Sequence, residues 1–354
     1  MTEYTIPEYL SYATQNHASD IFIIAGRPLS VKINGKISNH GERLMPSDTD
    51  ALIRQIYQMA NDRNFDHFLK TGDDDFSFSV PSLSRFRVNA YRQRGSLAAV
   101  IRVIAFELPD PNSLNIPEDV MSAADFSRGM VLVTGPAGSG KSTTLACIVD
   151  RINHSREGHI ITLEDPLEYL HRHNKCIVSQ REVCTDTESY LVSLRATLRQ
   201  SPDVILLGEM RDHETIQTAM TAAETGHLIL SSLHTTGAAN TIGRIVDVFE
   251  PSQQHQISIQ LSMVLQAVIS QQLVPDVDGN NIPVFEVMRL NPAIRNMIRD
   301  NKVHQIDGVI ASSANEHMRS MDQSLFELYR QKRITKETAL KYASNADMLK
   351  RRLL

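Results

Sequence analysis

The stretch Gly135-Pro136-Ala137-Gly138-Ser139-Gly140-Lys141-Ser142-Thr143 carries the densest chemistry in the chain. It matches G-x-x-x-x-G-K-[ST], follows the apolar run Met130-Val-Leu-Val-Thr134 and precedes a helix-like stretch beginning near Lys141. Glycines at these spacings let the backbone curl, so that several N–H groups converge on phosphate oxygens at the positive end of a helix. Lys141 is long enough to reach β- and γ-phosphates, and the Ser142 hydroxyl is placed to ligate Mg²⁺ directly. The ligands expected from these residues are ATP and Mg²⁺.

A phosphate loop needs a carboxylate to manage the metal shell and the attacking water. Two apolar runs end on candidates: Ile160-Ile-Thr-Leu-Glu164-Asp165-Pro166 and Asp203-Val-Ile-Leu-Leu-Gly208-Glu209. In a parallel α/β sheet such strand ends form the ligand edge. The second run has Gly208 where a metal-handling aspartate is usual. Because Mg²⁺ keeps several waters, Glu164 and Glu209 are expected to act on it through water. A third run, His227-Leu-Ile-Leu-Ser-Ser-Leu-His234, ends on a histidine placed to sense a γ-phosphate or to meet a neighbouring subunit. Both His227 and His234 are expected to contact the nucleotide; a structural role is the ordinary alternative for His234 and still more so for His227, and periodicity does not separate the two.

Elements must hold these residues in place. Residues 1–106 alternate in a way that predicts a small α+β domain: a helix from Pro7 to about Asn16, a strand at Asp20–Ile24, a hairpin through Asn34-Gly35, one helix over Asp48–Leu69, and strands at Asp75–Val80, Arg85–Tyr91 and Leu97–Ile104. Pro109, Pro111 and Pro117 disfavour helix over residues 107–118 and mark a linker. From 119 to 354, apolar runs at 130–134, 159–163, 204–207 and 228–233 alternate with helical stretches, the pattern of a parallel sheet wrapped by helices. Near its end, Asn291-Pro292 opens a helix with Ile294, Met297 and Ile298 on one face and Arg295 and Arg299 on another.

Bulk properties exclude more than they identify. The chain has 354 residues, 42% hydrophobic and 22% charged, enough for two cored domains and unlike a disordered composition. A net charge of −5 gives no general attraction to nucleic acid or anionic lipid, so no nucleic-acid partner is expected. Three cysteines without a C-x-x-C pair argue against a disulfide framework or zinc ribbon and for a reducing, cytoplasmic setting. The N-terminus lacks a signal-peptide pattern and no apolar run is long enough to span a bilayer, so direct membrane insertion is not expected.

Four segments in order, Gly135–Thr144, Ile161–His171, Leu198–Arg211 and Thr225–Thr235, resemble the Walker A, Asp box, atypical Walker B and His box of the secretion-ATPase superfamily. The Gly208-Glu209 pair matches that superfamily's own pattern. Within it, the chain resembles the type IV pilus retraction ATPases over nearly its whole length, including Arg85–Tyr91, Gln180–Val183 and Ala293–Asp300. The resemblance implies a RecA-like P-loop ATPase core preceded by a small PAS-like domain. It also implies a homohexamer with nucleotide near domain and subunit boundaries, and Lys141, Glu164, Glu209 and His234 in catalytic roles. The motor would act from the cytoplasm, peripheral to the inner membrane, through the pilus platform protein, with the extension ATPase as a further expected partner.

Family arginines from the N-terminal domain reach the nucleotide, and Arg87, Arg94 and Arg102 are the matching positions. The sequence is one residue shorter than the family pattern around Arg92–Gly95, which leaves their register open, and the polar face of a sheet is the plain alternative. Arg195, Arg199 and Arg211 are weaker candidates. The function implied is pilus retraction by ATP hydrolysis. The alternatives are a secretion or conjugation ATPase of the same superfamily, or an accessory ring subunit with little turnover. Relatives in extension and type II secretion usually carry an extra N-terminal region and a four-cysteine zinc motif, and neither occurs in this sequence.

Overall fold

The computed structural model describes residues 5–33, 35–104, 108–313 and 317–353. The chain divides into an N-terminal unit of residues 1–107, with Glu168–Leu170 grouped with it, and a larger unit formed by the rest. Asn34, expected at a hairpin turn, and residues 105–107, at the expected domain boundary, lie outside the described residues.

The N-terminal unit contains α1 (Ile6–Gln15), β1 (Asp20–Ile23), β2 (Pro28–Ile33), β3 (Lys36–Arg43), α2 (Pro46–Met59), α3 (Phe65–Thr71), β4 (Asp73–Val80), β5 (Ser84–Gln93) and β6 (Ser96–Ile104). Its strands form one antiparallel sheet in the order β3-β2-β1-β6-β5-β4. Alternation decides which face is covered: Phe86, Val88 and Ala90 of β5 are buried, and Leu52, Ile53, Ile56 and Tyr57 of α2 join the same core.

The single helix expected over Asp48–Leu69 is two helices. Asn61 and Asp62 take φ of 56° and 52°, a conformation their short polar side chains tolerate, and Asn64 then caps α3 by accepting from the His67 N–H at 3.0 Å. The break lets Phe65 meet Tyr57 edge-on, ring centroids 5.0 Å apart, and an unbroken helix would carry it past that contact.

The larger unit contains α4 (Glu118–Met121), β7 (Gly129–Thr134), α5 (Lys141–Ser155), β8 (Gly158–Glu164), β9 (Cys176–Glu182), α6 (Tyr190–Thr197), β10 (Val204–Leu207), α7 (His213–Glu224), β11 (Leu228–Leu233), α8 (Ala238–Asp247) and α9 (Pro251–Val264). It continues with β12 (Leu265–Pro275), β13 (Asn281–Arg289), α10 (Pro292–Arg299), α11 (Ile306–Ser312), α12 (Met321–Arg330), α13 (Lys336–Tyr342) and α14 (Ala346–Arg352). The sheet order is β13-β12-β7-β11-β10-β8-β9, all parallel except β13, which folds back on β12 as an antiparallel partner.

Central strands buried on both faces explain why they read as unbroken apolar runs instead of alternating ones. Ile161, Leu207 and Ile229 face one core and Val131, Leu206 and Leu230 the other. A smaller cluster gathers Val274, Ile282 and Val284 with Met321, Leu325 and Leu349 of the C-terminal helices. No helix among the described residues is long and apolar enough to cross a membrane.

Candidate nucleotide site

Parallel strands deliver their carboxyl ends to one edge, so the residues after β7, β8, β10 and β11 share that edge. The loop Gly135–Gly140 leaves β7 and runs into α5, whose first turn is closed by the Thr144 N–H donating to the Gly140 carbonyl at 3.0 Å. Lys141 is buried over the loop, and its ammonium donates to the carbonyls of Gly135 at 2.9 Å and Pro136 at 3.0 Å. The Ser139 hydroxyl is buried and finds no hydrogen-bond partner among the described residues. It is a donor suited to a phosphate oxygen, which fits the loop to that ligand.

His234, just past β11, sits between two of the other expected residues. Its Nδ1 is 3.5 Å from the Lys141 ammonium and its Nε2 is 3.5 Å from a Glu209 carboxylate oxygen. An ammonium only donates, so Nδ1 facing Lys141 is an acceptor and the ring proton belongs on Nε2, toward Glu209. The other Glu209 oxygen pairs with Arg211 at 2.5 Å, and the carboxylate itself is mostly buried. The line Lys141, His234, Glu209, Arg211 joins the phosphate loop to the strand-end carboxylate. Such a line can polarise a water on one side and register phosphate charge on the other.

Gly208 stands in a crowded place. A Cβ built there would lie 2.8 Å from the Tyr190 hydroxyl and 3.3 Å from the Leu163 carbonyl. A side chain where the usual aspartate would stand presses on the Tyr190 hydroxyl, and this chain carries its carboxylate one residue later. Strand contacts fix that residue: the Gly208 N–H donates to the Leu163 carbonyl at 2.8 Å, and the Ser232 hydroxyl donates to the Gly208 carbonyl at 2.6 Å. Burial, then the negative charge of Glu209, pushes the Tyr190 phenol well above its ordinary pKa, so it stays protonated.

Glu164 ends β8, its backbone against Gly208. The loop after it is held by β9: the Leu167 N–H donates to Glu182 at 3.1 Å and the His171 N–H to Gln180 at 2.7 Å. Those two residues give Gln180–Val183 a physical role that periodicity did not reveal.

His227 is not brought to this edge. It precedes β11 at the opposite end of the strand from His234, and its Nδ1 lies 2.9 Å from the Ala222 carbonyl at the end of α7. That contact satisfies a helix terminus. Arg87 and Arg102 are cross-strand neighbours in the N-terminal unit, and each meets a carboxylate there: Arg87 with Asp75 at 2.6 Å, Arg102 with Asp20 at 3.2 Å. Arg94 is exposed in the tight two-residue turn Arg94-Gly95 between β5 and β6, where the sequence is short against the family pattern. Arg195 lies 3.9 Å from Glu214, and Arg199 is exposed.

Two cavities flank the loop and the carboxylate. One of about 290 Å³ is bounded by Gly140, Thr143, Ile116, Leu273 and Pro283. Another of about 440 Å³ opens beside Glu209, Arg211 and His234, with Ile216, Leu233 and Ile245 in its wall. Tyr190 and Gln271 belong to the site's framework and carry no motif. They approach it only through the fold.

A phosphate loop on a central strand of a parallel sheet, with a carboxylate two strands away, defines a P-loop ATPase with a RecA-like core. The model of the type II/IV secretion system protein family matches residues 1–347. The type IV pilus retraction ATPase PilT of Pseudomonas aeruginosa is 43% identical over 337 residues, covering 94% of this chain and 96% of the relative. The type IV pilus ATPase PilU of the same organism is 38% identical, covering 96% and 89%. A crystal structure of the pilus retraction motor PilT with bound ADP superposes with a TM-score of 0.89 at 44% identity, covering 99% of this chain and all of that one. The chain belongs to the type II/IV secretion system protein family and is an ATPase of the PilT-like kind.

Proposed function

We propose that this ATPase is the motor that retracts type IV pili, working as a homohexamer at the cytoplasmic face of the inner membrane on the pilus platform protein. The observation that carries the chemistry is the line from Lys141 through His234 to Glu209 at the edge of the phosphate loop. The relatives named above, similar over nearly the whole chain, carry the assignment to retraction.

In this reading the loop residues 135–143 bind the phosphates, and Lys141 leaves the carbonyls of Gly135 and Pro136 for the β- and γ-phosphates. The 290 Å³ cavity beside Thr143 takes the nucleoside. Mg²⁺, when bound, neutralises charge on the phosphate oxygens. Ser142 would hold it directly, and Glu164 and Glu209 would act on it through water. Glu209, held by Arg211, orients the attacking water and accepts its proton, while His234 registers the γ-phosphate. Arg87, Arg94 and Arg102 act as charge-stabilising fingers at domain or subunit boundaries, for which Arg87 and Arg102 must leave Asp75 and Asp20. The extension ATPase is the opposing motor on the same platform. An acidic chain fits the absence of a nucleic-acid partner.

Lys141→Ala is expected to lose nucleotide binding. Glu209→Gln is expected to keep nucleotide while hydrolysis slows by about 100-fold or more, because the shape remains and the base is gone. ATPase rate beside equilibrium nucleotide binding checks both, and a normal rate in Glu209→Gln would remove that residue from the role.

A further inference from the structure

The phosphate loop is gripped from outside by a residue that none of the boxes contains. Gln271 lies on β12, the strand beside β7, with its side chain buried. Its Nε2 donates to the Ser139 carbonyl at 2.7 Å, and its Oε1 accepts from the Thr144 hydroxyl at 2.7 Å. One amide thereby bridges the last turn of the loop and the first turn of α5. Its own backbone carbonyl closes on Gly135, where a Cβ would come within 2.1 Å of it, and the φ of +143° there is one a glycine adopts without strain.

We propose that Gln271 is a positioning residue that sets the shape of the phosphate loop and so its affinity for the nucleotide; this rests on the reading of the loop as the ATP site. A trans peptide is planar, and its C=O and N–H point in opposite directions. Holding the Ser139 carbonyl toward β12 therefore turns the Gly140 N–H away from β12, with the phosphate-facing donors of the loop. The second hydrogen bond holds Thr144, so the same side chain keeps Lys141–Thr143 in register with the loop they follow. Without the bridge, the Ser139–Gly140 peptide is free to rotate, and a bound phosphate must then order it at a cost in affinity.

Four variants test this in the full chain, with ADP and a non-hydrolysable ATP analogue as probes. Gln271→Met keeps the volume and removes both hydrogen bonds. Its affinity for either nucleotide is expected to fall by about tenfold, more than any change in kcat at saturating ATP. Thr144→Val removes one end of the bridge and is expected to fall by about threefold, and the double variant to be no weaker than Gln271→Met, because both changes break one bridge.

Gln271→Glu supplies a readout that a packing role would not move. Ionised, the carboxylate accepts only and faces the Ser139 carbonyl, whereas protonated it donates there and still accepts from Thr144. Its affinity relative to the native chain is expected to recover as pH falls from about 8 to about 5.5, aided by the upward shift that burial gives a carboxyl group.

A folded Gln271→Met with native affinity would overturn the proposal, as would losses that add in the double variant or a flat pH ratio in Gln271→Glu. Should Gln271→Met fail to fold, the pH ratio and Thr144→Val decide. A native chain that binds nucleotide but turns over no ATP would defeat the proposed function and leave this test standing.

Discussion

At the scale of single residues, the site departs from the common P-loop pattern at Gly208, and the departure has a steric cause that can be tested. Gly208→Ala drives a Cβ toward the Tyr190 hydroxyl, which is expected to destabilise the protein by about 1–3 kcal/mol and lower the ATPase rate as Glu209 shifts. Adding Tyr190→Phe deletes the hydroxyl and should restore part of both. Thermal unfolding and ATPase assays on the three proteins check this; an unchanged melting temperature in Gly208→Ala would show that the site has room. The loop glycines, Lys141 and the strand-end positions of Glu164 and Glu209 were legible because each belongs to a pattern spanning a strand and its end, whereas for His234 periodicity left a structural role open and only the family resemblance pointed to the nucleotide. Tyr190 and Gln271 were not, since a tyrosine 19 positions before Glu209 and a glutamine 130 positions after Lys141 leave no periodic trace. His227 shows the converse: sharing a strand with His234, it was grouped with the nucleotide residues, yet the strand carries it to the other edge.

At the scale of elements, α10 repeats the pattern read from its sequence. Asn291 accepts from the Ile294 N–H at 2.9 Å, Ile294 and Ile298 are buried in the larger core, and Arg295 and Arg299 are exposed. Burial divides the residues into two kinds of test. Ile298→Ala is expected to cost about 2–5 kcal/mol and so reports on the fold. Arg295→Ala with Arg299→Ala is expected to stay within about 0.5 kcal/mol of the native stability, with ATPase retained and retraction reduced if this face meets the machine. Denaturant unfolding, ATPase rate and retraction speed separate these outcomes, and a large loss of stability in the arginine pair would assign the face a structural role.

A second element-scale feature is Glu286 on β13, buried and accepting from the Ala238 N–H that opens α8 at 2.9 Å. Burial raises its pKa, and Asp307 and Asp322 nearby add to the rise. The folded state thus holds this proton more tightly than the unfolded chain does, so the stability it contributes is full below the unfolded value and is lost as pH rises through the folded one. Unfolding free energy should fall as pH climbs from the ordinary glutamate range, and Glu286→Gln should flatten part of that slope. An identical pH profile in the variant would contradict this. Strands β9, β12 and β13 escaped the sequence reading, and the helix over Asp48–Leu69 was joined where Asn61 and Asp62 break it, because local backbone conformation outweighed an apolar period.

At the scale of the whole molecule, order along the chain was the most legible feature: an α+β unit, then a parallel sheet wrapped by helices, with Lys141, Glu164, Glu209 and His234 at the carboxyl ends of its strands. In the proposed hexamer, how subunits would meet and which arginines would complete a neighbour's site depend on surfaces that a single chain's periodicity does not encode. The account's central claim is that ATP turnover at Glu209 drives pilus retraction, and the most direct measurement is the retraction speed of individual pili in cells that lack the native gene and express this chain or its Glu209→Gln variant. The account predicts that the chain restores retraction and that the variant, present at equal level and binding nucleotide, does not. Equal retraction speeds with the two proteins, or no retraction with an ATPase-active native chain, would contradict it.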